Sequence, residues 1–361
     1  AVSVWKYANV RRTAAAAVAL AGVATLCIVL APDATLTKAA NTFTAFDAGG
    51  SLRLWFWAGT WDMIKEHPIT GVGLGRYAIE GPQHLANVLW APGGERFMHD
   101  TLLTEHPHND FLLVWAEAGV LGGALVVWAL VGLLRSGGPE WGGLAAWLVF
   151  ALFNSPLHSP PHALAAFLLG ACLIERRAPK MPFSTAFGNW GGRFLGVLVL
   201  AMPLPVWFGL VVPSYRLQQA QTAHVEGRSA LALYSDAAET GSIIQAEIDE
   251  KYGIALLDVR DYESARDRFK KALDGSDSGS VYLGLGTAEY LLGNNAAAYA
   301  ALEKAVYRWP SHLDAWRLLL RTCPTSERED WLIKAKRFLR ASELDELRNG
   351  PAAGTPAPGA K

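Results

Sequence analysis

The chain has 361 residues, 51% of them hydrophobic, 14 tryptophans and a formal net charge of −1. That length allows two or three structural units. The near-zero charge leaves no basic footprint for nucleic acid; Cys27, Cys172 and Cys323 are in no metal or redox spacing, and Cys27 and Cys172 fall in apolar runs expected to span a membrane, which argues against a disulfide framework.

The apolar residues concentrate in the first 212 positions. Residues 13–31 are an uninterrupted apolar run flanked by Lys6, Arg11 and Arg12. That run is long enough to cross a bilayer, and its basic flank places its start in the cytoplasm. Residues 33–107 are then an outer loop. Within it, 53–66 reads as an amphipathic helix whose wide apolar side includes Leu54, Trp55, Trp57, Trp61 and Ile64, a pattern suited to the membrane interface or to stacking on sugar rings. Pro68 stops it. Gly71, Gly73 and Gly75 follow at alternate positions and predict a turn with close backbone approach. They are no dinucleotide fingerprint, because no βαβ unit surrounds them. Residues 78–105 read as a looser loop.

The densest chemistry lies in Glu105-His106-Pro107-His108-Asn109-Asp110, immediately before an apolar run that continues to Leu134. Pro107 restricts His106 to extended geometry, so His106 lies outside the helix. Asn109 and Asp110 suit an N-cap and first turn. His106 and His108 therefore stand at the outer mouth of a membrane helix spanning 109–134. Further spans are expected at 140–155, 161–175 and 194–212. This topology puts Arg135, Arg176, Arg177 and Arg193 on one side.

Composition changes after Pro213. Gly253, Ala265, Phe269 and Ala272 are matched 33 residues later by Gly286, Ala298, Leu302 and Ala305. This resembles tetratricopeptide repeats, whose small residues let paired helices pack closely. Helical repeats are expected over 213–345 and a disordered tail over 346–361. The fold class is thus all-α: a polytopic membrane helix bundle followed by a helical-repeat domain.

His108 can act as a general base, with Asn109 capping the helix and orienting it. His106 shapes the site beside it. Glu117, one to two turns into the expected span, is a candidate because intramembrane carboxylates are costly. It could equally be a structural partner. Arg76 and Arg96 are weaker anion-binding options. Zinc at His106 and His108, helped by His99, His158 or His162, lacks a two-ligand helical motif such as His-Glu-x-x-His, and no metal or cofactor is assigned.

The stretch around His108 resembles the superfamily of O-antigen ligases, O-antigen polymerases and O-linked oligosaccharyltransferases. His108, Asn109 and Gly119 fit one of its patterns, and Glu117, Gly119 and Gly122 fit a second. Ser51-Leu52-Arg53-Leu54-x-x-Trp57 is similar to the stretch that precedes the family's Pro-x-x-Gly-x-Gly-x-Gly segment, here Pro68 to Gly75, with Leu52 in place of a glycine. The resemblance implies the C-terminal half of a GT-C-like membrane glycosyltransferase in the bacterial inner membrane, with the repeats in the periplasm. It implies transfer of a glycan from undecaprenyl diphosphate to lipid A-core, another glycan, or a protein Ser/Thr. Arg53 and His108 would be catalytic, with His106, Asn109, Arg76, Glu117 and Gly73 binding substrate and no metal involved. It also implies that family members have more spans and a further upstream arginine, so this sequence is expected to belong to a longer protein and to be inactive alone. A membrane-anchored repeat scaffold without catalysis is the competing expectation. A transporter piece fits less well, because few polar residues lie at mid-depth of the spans.

Overall fold

The computed structural model describes residues 48–98, 106–134 and 207–349, with isolated helical positions at 143, 147, 148 and 150–152. The expected spans at 13–31 and 161–175, most of 140–155 and 194–212, and residues 346–361 apart from 346–349 lie outside these residues. All regular structure among the described residues is helical.

Helix α1 (Ala48–Glu66) carries the tryptophan-rich segment. Its apolar side is a protein core and not chiefly a lipid face. Trp55 is 3% exposed, and its indole Nε1 donates to the Leu85 carbonyl at 2.9 Å. Only Trp61 among its three tryptophans is openly exposed, edge-on to Trp115.

The expected loop over 78–105 is instead mostly helical. Helix α2 (Tyr77–Trp90) begins directly after the glycines, and a 3-10 turn (Gly94–Phe97) follows. Tyr77, Leu85, Ala86 and Leu89 are buried on the side of α2 packed against α1. Two features conceal this helix in the sequence. Pro82 lies inside it, where proline normally signals a break. Its first N–H, on Tyr77, is capped by the Glu117 carboxylate 40 residues away, at 3.2 Å.

Helix α3 (Asp110–Leu134) begins at the expected cap. The Asn109 side-chain oxygen accepts from the Leu112 N–H at 3.0 Å. Residues Asp110–Trp128 are long and apolar enough to cross a membrane. The helix is not continuous, however: Gly119 has φ 60° and ψ −162°. The break frees backbone groups, and the glycine segment takes them up. Ala116 O accepts from Val72 N and Glu117 O from Gly73 N, both at 2.9 Å, while Val120 N donates to Pro68 O at 2.9 Å. In an unbroken helix, Val120 N would have bonded Ala116 O.

A π-helical turn (Trp207–Val211) leads into α4 (Val212–Val225), so the helix runs through Pro213. The remaining helices are α5 (Leu231–Ala238), α6 (Gln245–Asp258), α7 (Tyr262–Ala272), α8 (Gly279–Leu291), α9 (Asn295–Arg308), α10 (Leu313–Thr322), α11 (Arg328–Ala335) and α12 (Ala341–Asn349). They pack mainly on their chain neighbours. The 33-residue correspondence has a physical basis. A Cβ on Gly253 would sit 2.9 Å from the Phe269 ring, and one on Gly286 would sit 2.6 Å from Leu302. In both helix pairs the matched glycine admits the matched large side chain, and Ala265, Ala272, Ala298 and Ala305 are fully buried.

One hydrophobic core joins the two ends of the sequence. Trp55, Phe56, Leu85, Leu89 and Phe97 share a cluster with Leu302, Trp316, Leu319 and Trp331.

Candidate functional site

The site is built where the chain segment before α3 crosses α1. Trp57 Nε1 donates to the Pro107 carbonyl at 3.1 Å, fixing the His106-Pro107-His108 segment against α1. One residue earlier, Phe56 stacks on the His108 ring, with centroids 5.7 Å apart and planes at 30°. His106 meets the same imidazole edge-on at 4.7 Å. His108 adopts φ 52°, the left-handed region that non-glycine residues seldom enter. The N-cap at Asn109 and the clamp on Pro107 hold the residues either side of it, and such local strain clusters at functional sites.

Arg53 precedes Phe56 by three residues, so both side chains project from one face of α1. Burial first, and then the charge of Arg53, hold the His108 imidazole below the ordinary histidine pKa. The imidazole is therefore neutral near pH 7 and able to accept a proton. Arg53 itself is only half-buried and can meet an anion.

The structure brings Arg53, His106, His108 and Asn109 together. Gly73, Arg76 and Glu117 form a separate group. The Glu117 carboxylate caps α2, and Gly73 belongs to the backbone exchange with α3. Arg76 is exposed and bonds Glu80 at 2.6 Å. Arg96 is exposed and lies over the Phe97 ring at 4.6 Å. Sequence reasoning missed Phe56, although its spacing from Arg53 marks it as a neighbour on the helix.

Asp62, Glu66 and His84 place one ligand atom each within 4.8 Å of one another, a spacing that could hold a metal ion. Their existing bonds give a structural account. His84 Nδ1 and Asn87 Nδ2 both meet Asp62 Oδ2 at 3.0 Å, and Asn87 in turn accepts from Tyr307 Oη at 3.0 Å. Burial raises the Asp62 pKa, but the bonds from Asn87 and His84 outweigh it and keep the carboxylate ionised. His99, His158 and His162, which the zinc expectation would have used as further ligands, lie outside the described residues.

The stretch that contains these residues is similar to a known family. Residues 1–127 match the family model for O-antigen ligase. The matched stretch contains Arg53, the glycine segment, His108 and Gly119. No curated protein matches the chain.

Proposed function

We propose that this O-antigen ligase-like chain takes part in moving a glycan from an undecaprenyl-diphosphate carrier to an acceptor hydroxyl at the periplasmic face of the inner membrane. The neutral His108 imidazole removes the acceptor proton. The acceptor oxygen then bonds to the anomeric carbon as the bond from that carbon to the diphosphate breaks. The departing diphosphate carries the negative charge, and the Arg53 guanidinium takes it in a forked, charge-assisted bond. This places on an arginine the role that a divalent cation plays in other glycosyl transfers. His106 and Phe56 fix the imidazole, and Asn109 fixes the backbone beneath it. The acceptor is lipid A-core, a second glycan or a protein Ser/Thr. The repeats, which resemble tetratricopeptide repeats, position it.

The observation that carries this reading is the convergence of Arg53 and His108 on one face of α1, within the stretch that matches the family. The test is His108→Gln in the full-length protein, expressed in cells whose own gene is deleted. Transfer to the acceptor, followed by gel profiling of the glycan product, is expected to fall about 100-fold or more, with unchanged membrane insertion. Unchanged transfer would instead support the scaffold reading, in which these helices only anchor the repeats.

A further inference from the structure

A cavity of about 1010 Å³ lies between the segment 75–82 and residues 210–278. One wall is the glycine segment and the start of α2: Gly75, Ala78, Ile79 and Pro82. The other is formed by Leu210 of the π-helical turn and by the helices after it, from the α5–α6 connection through the end of α7 to the α7–α8 connection. It includes none of the residues around His108.

We infer that this cavity binds an uncharged glycan chain. This assignment rests on the proposed glycan transfer and adds where the sugar chain is held. Three observations converge. First, hydrogen-bonding capacity is left open in the walls. Ser242 Oγ is buried with no protein partner, and Ser242 lines the cavity. Pro82 has no N–H to offer the Ala78 carbonyl, and both residues belong to the α2 wall. Sugar hydroxyls donate and accept, so they suit both groups.

Second, the charge pattern selects against phosphorylated chains. The lining holds four carboxylates, Glu247, Asp249, Glu250 and Asp274, against the cations Arg268 and Lys271. Arg268 is committed to Asp249 at 2.9 Å, and Asp249 also accepts from Gln245. The lining is thus net acidic, and a polyanion would meet like charge.

Third, the apolar part, which includes Leu210 and Ile244, is aliphatic with no aromatic ring. Ile79, Pro82 and Ile243 suit the C–H faces of sugar rings, and the walls offer no strand edge for an extended peptide. The volume, at the upper end for ligand sites, suits an oligomer.

A photo-crosslinking benzoyl-phenylalanine placed at Ala78 or Ser276 samples the two walls, and one at the exposed Val225 is the control. Each full-length variant is irradiated in its native membrane, purified under denaturing conditions and stained for glycan. Positions 78 and 276 are expected to yield glycan-bearing adducts about five-fold or more above the control, since labelling scales with occupancy. The adducts should persist with His108→Gln, because binding needs no turnover. Loss of the adduct when synthesis of the lipid-linked donor is blocked assigns the donor's glycan, and its persistence assigns the acceptor's. Adducts with protein or phosphate-rich lipid alone, or none above control at either position, overturn the assignment. Full transfer by His108→Gln with adducts intact would sink only the proposed chemistry.

Discussion

His108 is held by contacts on three sides: Phe56 on its face, His106 on its edge and the Trp57 clamp on the preceding carbonyl. Its pKa sits below the ordinary value of 6.5, through burial and then Arg53. Between the folded and the ordinary value the unfolded chain binds more protons, so the stability from this group is present above pH 6.5 and is lost as pH falls through that window. Activity follows the same sign, because only the neutral imidazole accepts a proton. The rate is expected to be flat near pH 7 and to fall on an acidic limb centred below 6.5. Arg53→Gln should move that limb upward as well as slow transfer, and a pH–rate profile of both proteins checks it. Arg53→Lys keeps the charge but loses the fork, and transfer should drop about ten-fold or more. The Asn109 cap was legible in the sequence because a cap is local. The Phe56 stack and the Trp57 clamp were not, since each joins residues about 50 positions apart.

At the level of elements, the glycine segment and the α3 break are two halves of one backbone lock. A Cβ on Gly71 would lie 2.3 Å from Glu117 carbon, and one on Gly119 would lie 2.1 Å from Ile69 oxygen. Both residues also have positive φ, so an alanine meets a clash and a strained conformation together. Gly71→Ala and Gly119→Ala should each destabilise by about 2–4 kcal/mol, measured as a lower thermal midpoint in detergent. Gly75 also has positive φ but faces open space, so Gly75→Ala should cost less. The sequence marked Gly71, Gly73 and Gly75 as a turn with close backbone approach, which Gly71 makes and Gly75 does not, but the approached partner lay on another helix and could not be read from spacing. The same lock bears on Glu117. Its carboxylate caps α2, so Glu117→Gln, which retains an acceptor oxygen, should preserve most transfer. Glu117→Ala should lose stability by about 1 kcal/mol. A loss of transfer in Glu117→Gln with intact stability would show instead that the carboxylate acts on substrate.

At the scale of the molecule, the stretch expected to be a loop and the repeats share a core. Trp90 stacks on Tyr307 at 5.4 Å with planes 6° apart, and its Nε1 donates to the Tyr307 carbonyl. Arg337 bonds the carbonyls of Trp90 and Ala91 at 3.0 and 2.9 Å. Small residues at a 33-residue offset marked the close packing of paired helices, but nothing in the sequence paired α2 with α9, because that contact bridges more than 200 residues. The consequence separates an enzyme-integrated repeat domain from a tethered one. Were the repeats merely tethered, Trp90→Ala would leave the His108 region as rigid as before. With a shared core, loss of the indole removes support from α2, and through Trp55 bonded to Leu85 it reaches α1 and the His108 stack. Trp90 is only partly buried, so Trp90→Ala should cost about 2 kcal/mol. It should also increase proteolysis after Arg76 and Lys65 together with cleavage in the repeats, in one transition and not two. Two separate transitions on denaturation would mean that the domains fold independently and that the shared cluster contributes little to holding the site.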